Sequence, residues 1–258
     1  MPETESAVSA GKSAGRRLAW RVAEVGEIID ETPRVKSLVL DVPGWPGHRP
    51  GQHVDVRLTA EDGYQAQRSY SVASAPENAH VVLTVERIEG GEVSPYLAAD
   101  VQPGDKFELR GPIGGYFVWT VATGGPLLLV AGGSGIAPLM AMLQHRAAAK
   151  STTPAVLLYS SRTFEDIIYR EQLDRLAAGN DGLRLVHTLT RRQPAGWTGG
   201  ARRIDRSMLA DLGLPAEARP RIFICGPTSL VESAAQSLLD LGHERSLIKT
   251  ERFGPTGS

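Results

Sequence analysis

The chain holds one cysteine in 258 residues, Cys225, and that scarcity excludes more chemistry than any other feature of its composition. An internal disulfide cannot form, and an iron–sulfur cluster, which needs about four thiolates, has no ligand set. Charge of one sign is also missing: the net value of −1 gives no overall pull toward nucleic acid or anionic lipid. No apolar run reaches membrane-spanning length. His48, His53, His80, His145, His187 and His243 are scattered, with no pair at metal-ligand spacing on a helix, so no metal site is expected. Residues 1–16 lack an apolar block, which argues against a secretory signal, and no hydrophobic segment follows Arg16-Arg17 as a twin-arginine signal requires. They read as a flexible N-terminal tail on a cytoplasmic protein.

What is present divides the rest in two. Residues 17–122 show short alternating runs broken by Gly and Pro: Trp20 to Val25, Val35 to Leu40, His53 to Leu58 and Val81 to Glu86 read as strands. That pattern belongs to an antiparallel barrel or sandwich. Ser94-Pro95 predicts one interrupting helix, with serine as N-cap and proline at the first helical position. Residues 123–258 alternate instead between buried strands and helices. Strands are expected at Leu127 to Ala131, Ala155 to Ser160, Arg184 to Leu189, Arg221 to Cys225 and Ser246 to Thr250, which implies a parallel sheet with helices on both faces. Such sheets bind nucleotides at the carboxyl ends of their strands.

Within the first half, Arg68-Ser69-Tyr70-Ser71-Val72-Ala73-Ser74 gathers a cation, a flat aromatic and several hydroxyls. An arginine forks onto a pyrophosphate, and a tyrosine face lies against an isoalloxazine ring. On one continuous strand, residues 68, 70, 72 and 74 share a side. The expectation is a flavin dinucleotide cradle. In the second half, Leu127 to Ala131 empties into Gly132-Gly133-Ser134-Gly135-Ile136-Ala137-Pro138, where amides at a helix start favour a phosphate. Gly133, Gly135 and Pro138 take the three fingerprint places, so proline replaces the last glycine of an ordinary dinucleotide fingerprint. The next strand ends in Tyr159-Ser160-Ser161-Arg162, with no acid for a ribose hydroxyl, which favours NADPH over NADH with Arg162, Arg191 and Arg192 near the 2′-phosphate. A tight turn without a ligand and a solvated arginine rim suit the same residues.

Arg68-Ser69-Tyr70-Ser71, Gly90-Gly91-Glu92-Val93-Ser94, Gly111-Pro112-Ile113-Gly114, the Gly132 to Pro138 turn and Cys225-Gly226-Pro227, in that order, resemble the ferredoxin–NADP reductase superfamily from about residue 17 to the C-terminus. The chain looks most like the reductase components of bacterial oxygenases without their iron–sulfur domain. The resemblance implies a six-stranded antiparallel Greek-key β-barrel carrying FAD, followed by an α/β domain with a five-stranded parallel sheet for NAD(P)H. It implies that Arg68 and Ser69 belong to the pyrophosphate strand, that Tyr70 covers a flavin face, and that Ser71 lies near N5. Gly91, Val93 and Ser94 would form the phosphate-binding turn. Gly132, Gly133, Ser134, Gly135 and Pro138 would hold the NAD(P)H pyrophosphate, and Cys225, Gly226 and Pro227 would lie beside the nicotinamide. Glu251-Arg252-Phe253-Gly254 resembles the family's tail segment, bringing an acid and a shielding aromatic to the flavin.

The implied activity is transfer of hydride from NAD(P)H, NADPH favoured, to FAD, then of electrons to a separate redox protein: a ferredoxin, a haem protein or an oxygenase. A free-flavin or small-molecule reductase is one alternative. A non-catalytic nucleotide-binding subunit of a larger redox complex is another.

Overall fold

The computed structural model describes residues 18–179 and 181–253, so the expected tail at 1–16 and Gly254 lie outside the described residues. Six strands build the first half: β1 (Trp20–Thr32), β2 (Val35–Asp41), β3 (His53–Thr59), β4 (Gln65–Ser71), β5 (Val81–Glu86) and β6 (Lys106–Ile113). They pair antiparallel in the order β4-β3-β6-β1-β2-β5, and the bridge Val72↔Leu83 joins the two ends into a barrel. Closure removes the exposed edges that an open sheet would present. Leu38, Leu40, Val54, Val56, Leu83, Val85 and Leu109 fill the interior with no exposed surface. They sit at alternate positions, as a half-buried strand requires.

Three expectations for this half need correction. β1 runs for 13 residues rather than six, because register shifts between Val25 and Glu27 and between Asp30 and Thr32 bend it onward against β2. Strand β4 stops at Ser71, and Val72, Ala73 and Ser74 are all buried, so the alternation expected across 68–74 ends where the chain enters the junction between the halves. The helix after Ser94 is a short π-helical turn, Tyr96–Asp100. Ser94 does not cap it: its hydroxyl accepts from the Ile88 amide at 3.2 Å.

The second half holds β7 (Leu127–Gly132), β8 (Ala155–Ser161), β9 (Leu183–Leu189), β10 (Arg221–Gly226) and β11 (Ile248–Arg252), all parallel in the order β11-β10-β7-β8-β9. Helices α1 (Ile136–Ala148), α2 (Arg170–Ala177), α3 (Arg206–Ala210) and α4 (Thr228–Asp240) connect and cover them. The strand order reverses at the β7–β10 pair, which opens a crevice at their carboxyl ends. The last strand begins two residues later than expected, because Arg245–Leu247 forms a 3-10 turn first. That shift carries Glu251 into the sheet.

One continuous core spans the two halves. Val35, Ala73, Phe117 and Trp119 pack with Leu127, Leu129, Ile136, Met140 and Phe223, and Phe117 meets Phe223 edge to face at 5.2 Å, a geometry worth about 0.5–1.5 kcal/mol beyond burial. Polar ties frame it. Gln144 of α1 accepts from the Ala75 amide at 3.1 Å, His145 bonds Glu77 at 2.7 Å, and Glu31 of β1 accepts from the Tyr169 amide at 3.1 Å. Among the described residues, no helix is long and apolar enough to cross a membrane.

Candidate functional site

Strand β4 pairs with β3 so that Tyr70 faces Val54, Arg68 faces Val56, Ser69 faces Asp55 and Ser71 faces His53. Opposed residues share a face of the sheet. Arg68 and Tyr70 therefore stand on one side, and Ser69 stands on the other, its hydroxyl donating to Asp55 at 2.7 Å while Asp55 pairs with Arg110 at 2.7 Å. The Tyr70 phenol is pushed up to about 12 by burial. Ser71 is buried, and its hydroxyl has no partner among the described residues. Leaving such a group unpaired costs about 1–3 kcal/mol, so a polar edge of a bound ring placed there satisfies a real deficit. His53, across from Ser71, is held toward its neutral form by desolvation. In the sequence His53 is one of six scattered histidines; only the β3–β4 pairing brings it to Ser71.

The turn at Gly91 to Ser94 lies beside this strand. Val93 and Ser94 are buried, and a Cβ on Gly91 would sit 3.2 Å from both the Ile88 carbonyl and the Ser94 hydroxyl. Arg68 reaches over to the turn, 3.5 Å from Glu92, and Tyr64 donates to the same carboxylate at 2.5 Å.

At the crevice, backbone approaches backbone. A Cβ on Gly135 would lie 2.3 Å from the Cys225 carbonyl oxygen, and one on Gly226 would lie 3.0 Å from Gly132. Gly132 is closed instead by the side chains of Leu230 and Pro227, 2.6 and 3.0 Å from a Cβ there. Gly133 has φ +53° with nothing within 4 Å of a Cβ, so its face of the turn is open. The Tyr159 hydroxyl donates to the Gly133 carbonyl at 3.1 Å, which fixes the turn from beneath. The Ser134 hydroxyl donates to Glu86 of the barrel at 2.8 Å, and Pro138 is buried in α1, so these two side chains serve the packing of the turn.

Arg162 and Arg191 are brought together at the ends of β8 and β9, where the Arg191 amide donates to the Arg162 carbonyl at 2.9 Å. Both side chains are exposed. Arg192 turns to Glu165 at 3.2 Å. Beside them Trp197 meets Phe164 at 6.0 Å, and the Arg170 guanidinium lies 4.5 Å from the Phe164 ring. Neither aromatic stands out in the sequence, since Phe164, between β8 and α2, and Trp197, between β9 and α3, lie in connections with no regular period.

The other side of the crevice is formed by β10 and β11. Cys225 is fully buried and lies in register with Glu251. Burial raises the thiol well above its ordinary range, and the Glu251 charge raises it further. Burial also lifts the Glu251 carboxyl to about 7. The Phe253 amide donates to the Gly226 carbonyl at 2.9 Å, and its ring packs against the core cluster that contains both Ala73 and Cys225. The end of the sheet and the segment that follows Tyr70-Ser71 thus share one core. A cleft of about 460 Å³ between Glu31 and Arg170 is lined by none of the candidate cofactor residues.

These features fit both dinucleotides: an orphaned hydroxyl beside a half-buried tyrosine for a flavin, and an open glycine turn at a helix start for a second pyrophosphate. Residues 25–118 match the oxidoreductase FAD-binding domain family, and residues 129–236 match the oxidoreductase NAD-binding domain family. Ferredoxin–NADP reductase B of Sorangium cellulosum is 35% identical over 212 residues, covering 79% of this chain and 84% of that protein. The chain belongs to the ferredoxin–NADP reductase superfamily. The glycine betaine monooxygenase reductase subunit of Pseudomonas aeruginosa is 31% identical over 235 residues, 89% of this chain, and the match spans 63% of that relative's length. Among solved structures, the flavohaem-like FAD/NAD-binding domain of nitric oxide dioxygenase from Vibrio cholerae superposes with a TM-score of 0.80 at 27% identity, over 91% of this chain and 99% of that one. As a superfamily member the chain has an FAD-binding Greek-key barrel and an NAD(P)-binding five-stranded parallel sheet.

Proposed function

We propose that the chain is an NAD(P)H-dependent flavoprotein reductase that takes hydride from a nicotinamide dinucleotide, NADPH preferred, and passes electrons to a separate redox protein. What supports this is that Ala73, just after Tyr70-Ser71, and Cys225 belong to one buried core against which Phe253 packs, with Glu251 in register beside Cys225. When bound, FAD supplies the ability to accept electrons as a pair and release them singly.

The protein's own part is orientation and electrostatics. Arg68 would hold the flavin pyrophosphate, Tyr70 would cover one face of the ring, and the Ser71 hydroxyl would hydrogen-bond its polar edge. The amides at the start of α1 hold the NADPH pyrophosphate, with Arg162 and Arg191 drawing its 2′-phosphate and Trp197 or Phe164 offering a flat face to its adenine. Phe253, partly buried against the core, would shield the flavin ring in the absence of nicotinamide. Glu251, titrating near neutrality, holds or yields a proton beside Cys225. The electron acceptor is a partner of the kind served by the related reductases: an oxygenase, a ferredoxin or a haem protein.

The test is to purify the protein, identify released flavin by chromatography, and follow NADPH oxidation with a one-electron acceptor. Stoichiometric FAD and acceptor-dependent turnover are expected. Turnover only with added free flavin indicates a free-flavin reductase, and no turnover with any acceptor indicates a non-catalytic subunit.

A further inference from the structure

We propose that Glu92 is an internal counter-anion for Arg68, standing where the flavin pyrophosphate binds, so that flavin must displace it. The inference rests on the assignment of Arg68 to that pyrophosphate. Within the Gly91 to Ser94 turn, Val93 and Ser94 are buried and Gly91 has no side chain. Glu92 is therefore the one outward-facing side chain of a turn that serves an anion, and it is itself anionic. Both its oxygens are engaged: Oε2 lies 3.5 Å from Arg68 Nη2, and Oε1 accepts from the Tyr64 hydroxyl at 2.5 Å.

Tyr64 is well placed for that bond. Its carbonyl accepts from the Ala60 amide at 2.9 Å and its amide donates to Asp62 at 2.9 Å, which fixes the hairpin between β3 and β4. The bond to Glu92 raises the Tyr64 phenol, so the hydroxyl stays a donor across the working range. Arg68 meanwhile donates through Nη1 to the Gln67 carbonyl at 2.7 Å, leaving Nη2 as the arm that Glu92 holds. Arg68 and Glu92 are both about half exposed, with side-chain accessibilities of 57% and 49%. An exposed pair of this kind is weak, and a pyrophosphate offers the same guanidinium two charges and a bidentate fit. Arg68 then exchanges partners while Tyr64 keeps Glu92 aside. The residual carboxylate lowers affinity for a phosphorylated flavin and leaves affinity for a flavin without phosphate untouched.

The opposite role is a buttress, in which Glu92 aligns Arg68 and helps flavin bind. Titration of the full-length, flavin-freed protein with FAD and with riboflavin, followed by flavin fluorescence, separates the two. Glu92→Gln is expected to bind FAD about 3- to 10-fold more tightly at low salt. The gain should fall below about twofold near 0.5 M salt, where the Debye length is short, and riboflavin binding should not change. Unchanged or weaker FAD binding, or an equal gain for riboflavin, overturns the proposal. Arg68→Ala without effect on wild-type FAD affinity instead removes the pyrophosphate assignment, and this proposal with it.

Discussion

Strand β4 offers its proposed nucleotide side chains, whereas the turn after β7 offers bare backbone. Arg68 is more than half exposed and makes two polar contacts, with the Gln67 carbonyl at 2.7 Å and with Glu92 at 3.5 Å. Gly135 has no freedom at all, because a single methyl there would meet Cys225 at 2.3 Å. One site is thus an attachment to the barrel, while the other is inseparable from the folding of the sheet. Substitution should cost binding at the first and stability at the second.

The largest effect should come from Gly135→Ala. Its Cβ would overlap the Cys225 carbonyl group, so we expect a loss of about 3 kcal/mol or more, read as a lowered urea midpoint. Gly133→Ala faces open space and bears only the strain of φ +53°, about 1–2 kcal/mol, so equal losses for the two would break the distinction. Arg68→Ala should weaken FAD binding about 10- to 150-fold, the equivalent of a charge-assisted contact of roughly 1.5–3 kcal/mol, with an unchanged urea midpoint. Full flavin retention through gel filtration would remove that role.

Glu251 sharpens the comparison through pH. Its folded value of about 7 lies above the ordinary 4.5, so the folded chain holds an extra proton between those values and loses stability as pH rises through that window. Glu251→Gln should abolish this slope and be more stable than wild type at about pH 8 by roughly 1–3 kcal/mol. Parallel stability profiles for the two proteins would place the carboxyl in solvent. The smallest effect is expected for Arg162→Ala, which should raise the KM for NADPH about fivefold, the equivalent of about 1 kcal/mol, and barely alter that for NADH. Equal changes would remove Arg162 from the phosphate site.

The parallel sheet was legible to within one residue at each end of β7, β8, β9 and β10, because each is an apolar run bounded by glycine, proline or polar residues. β11 is displaced by two residues, since Arg245–Leu247 fold as a 3-10 turn before it. In the barrel the motif residues of β4 were visible, but their partners were not. Asp55 draws Ser69, Glu92 draws Arg68 and Glu86 draws Ser134, and these pairs lie 14, 24 and 48 positions apart. No local period encodes contacts of that range. They depend on β3 returning beside β4 and on the barrel meeting the sheet.

The central claim is that the two sites form one path from nicotinamide to flavin. Anaerobic titration of the purified yellow protein with NADPH tests it most directly. Bleaching of the bound flavin by one equivalent of NADPH, faster than by NADH, is the predicted result. A flavin that stays oxidised in excess NADPH and NADH would contradict the account.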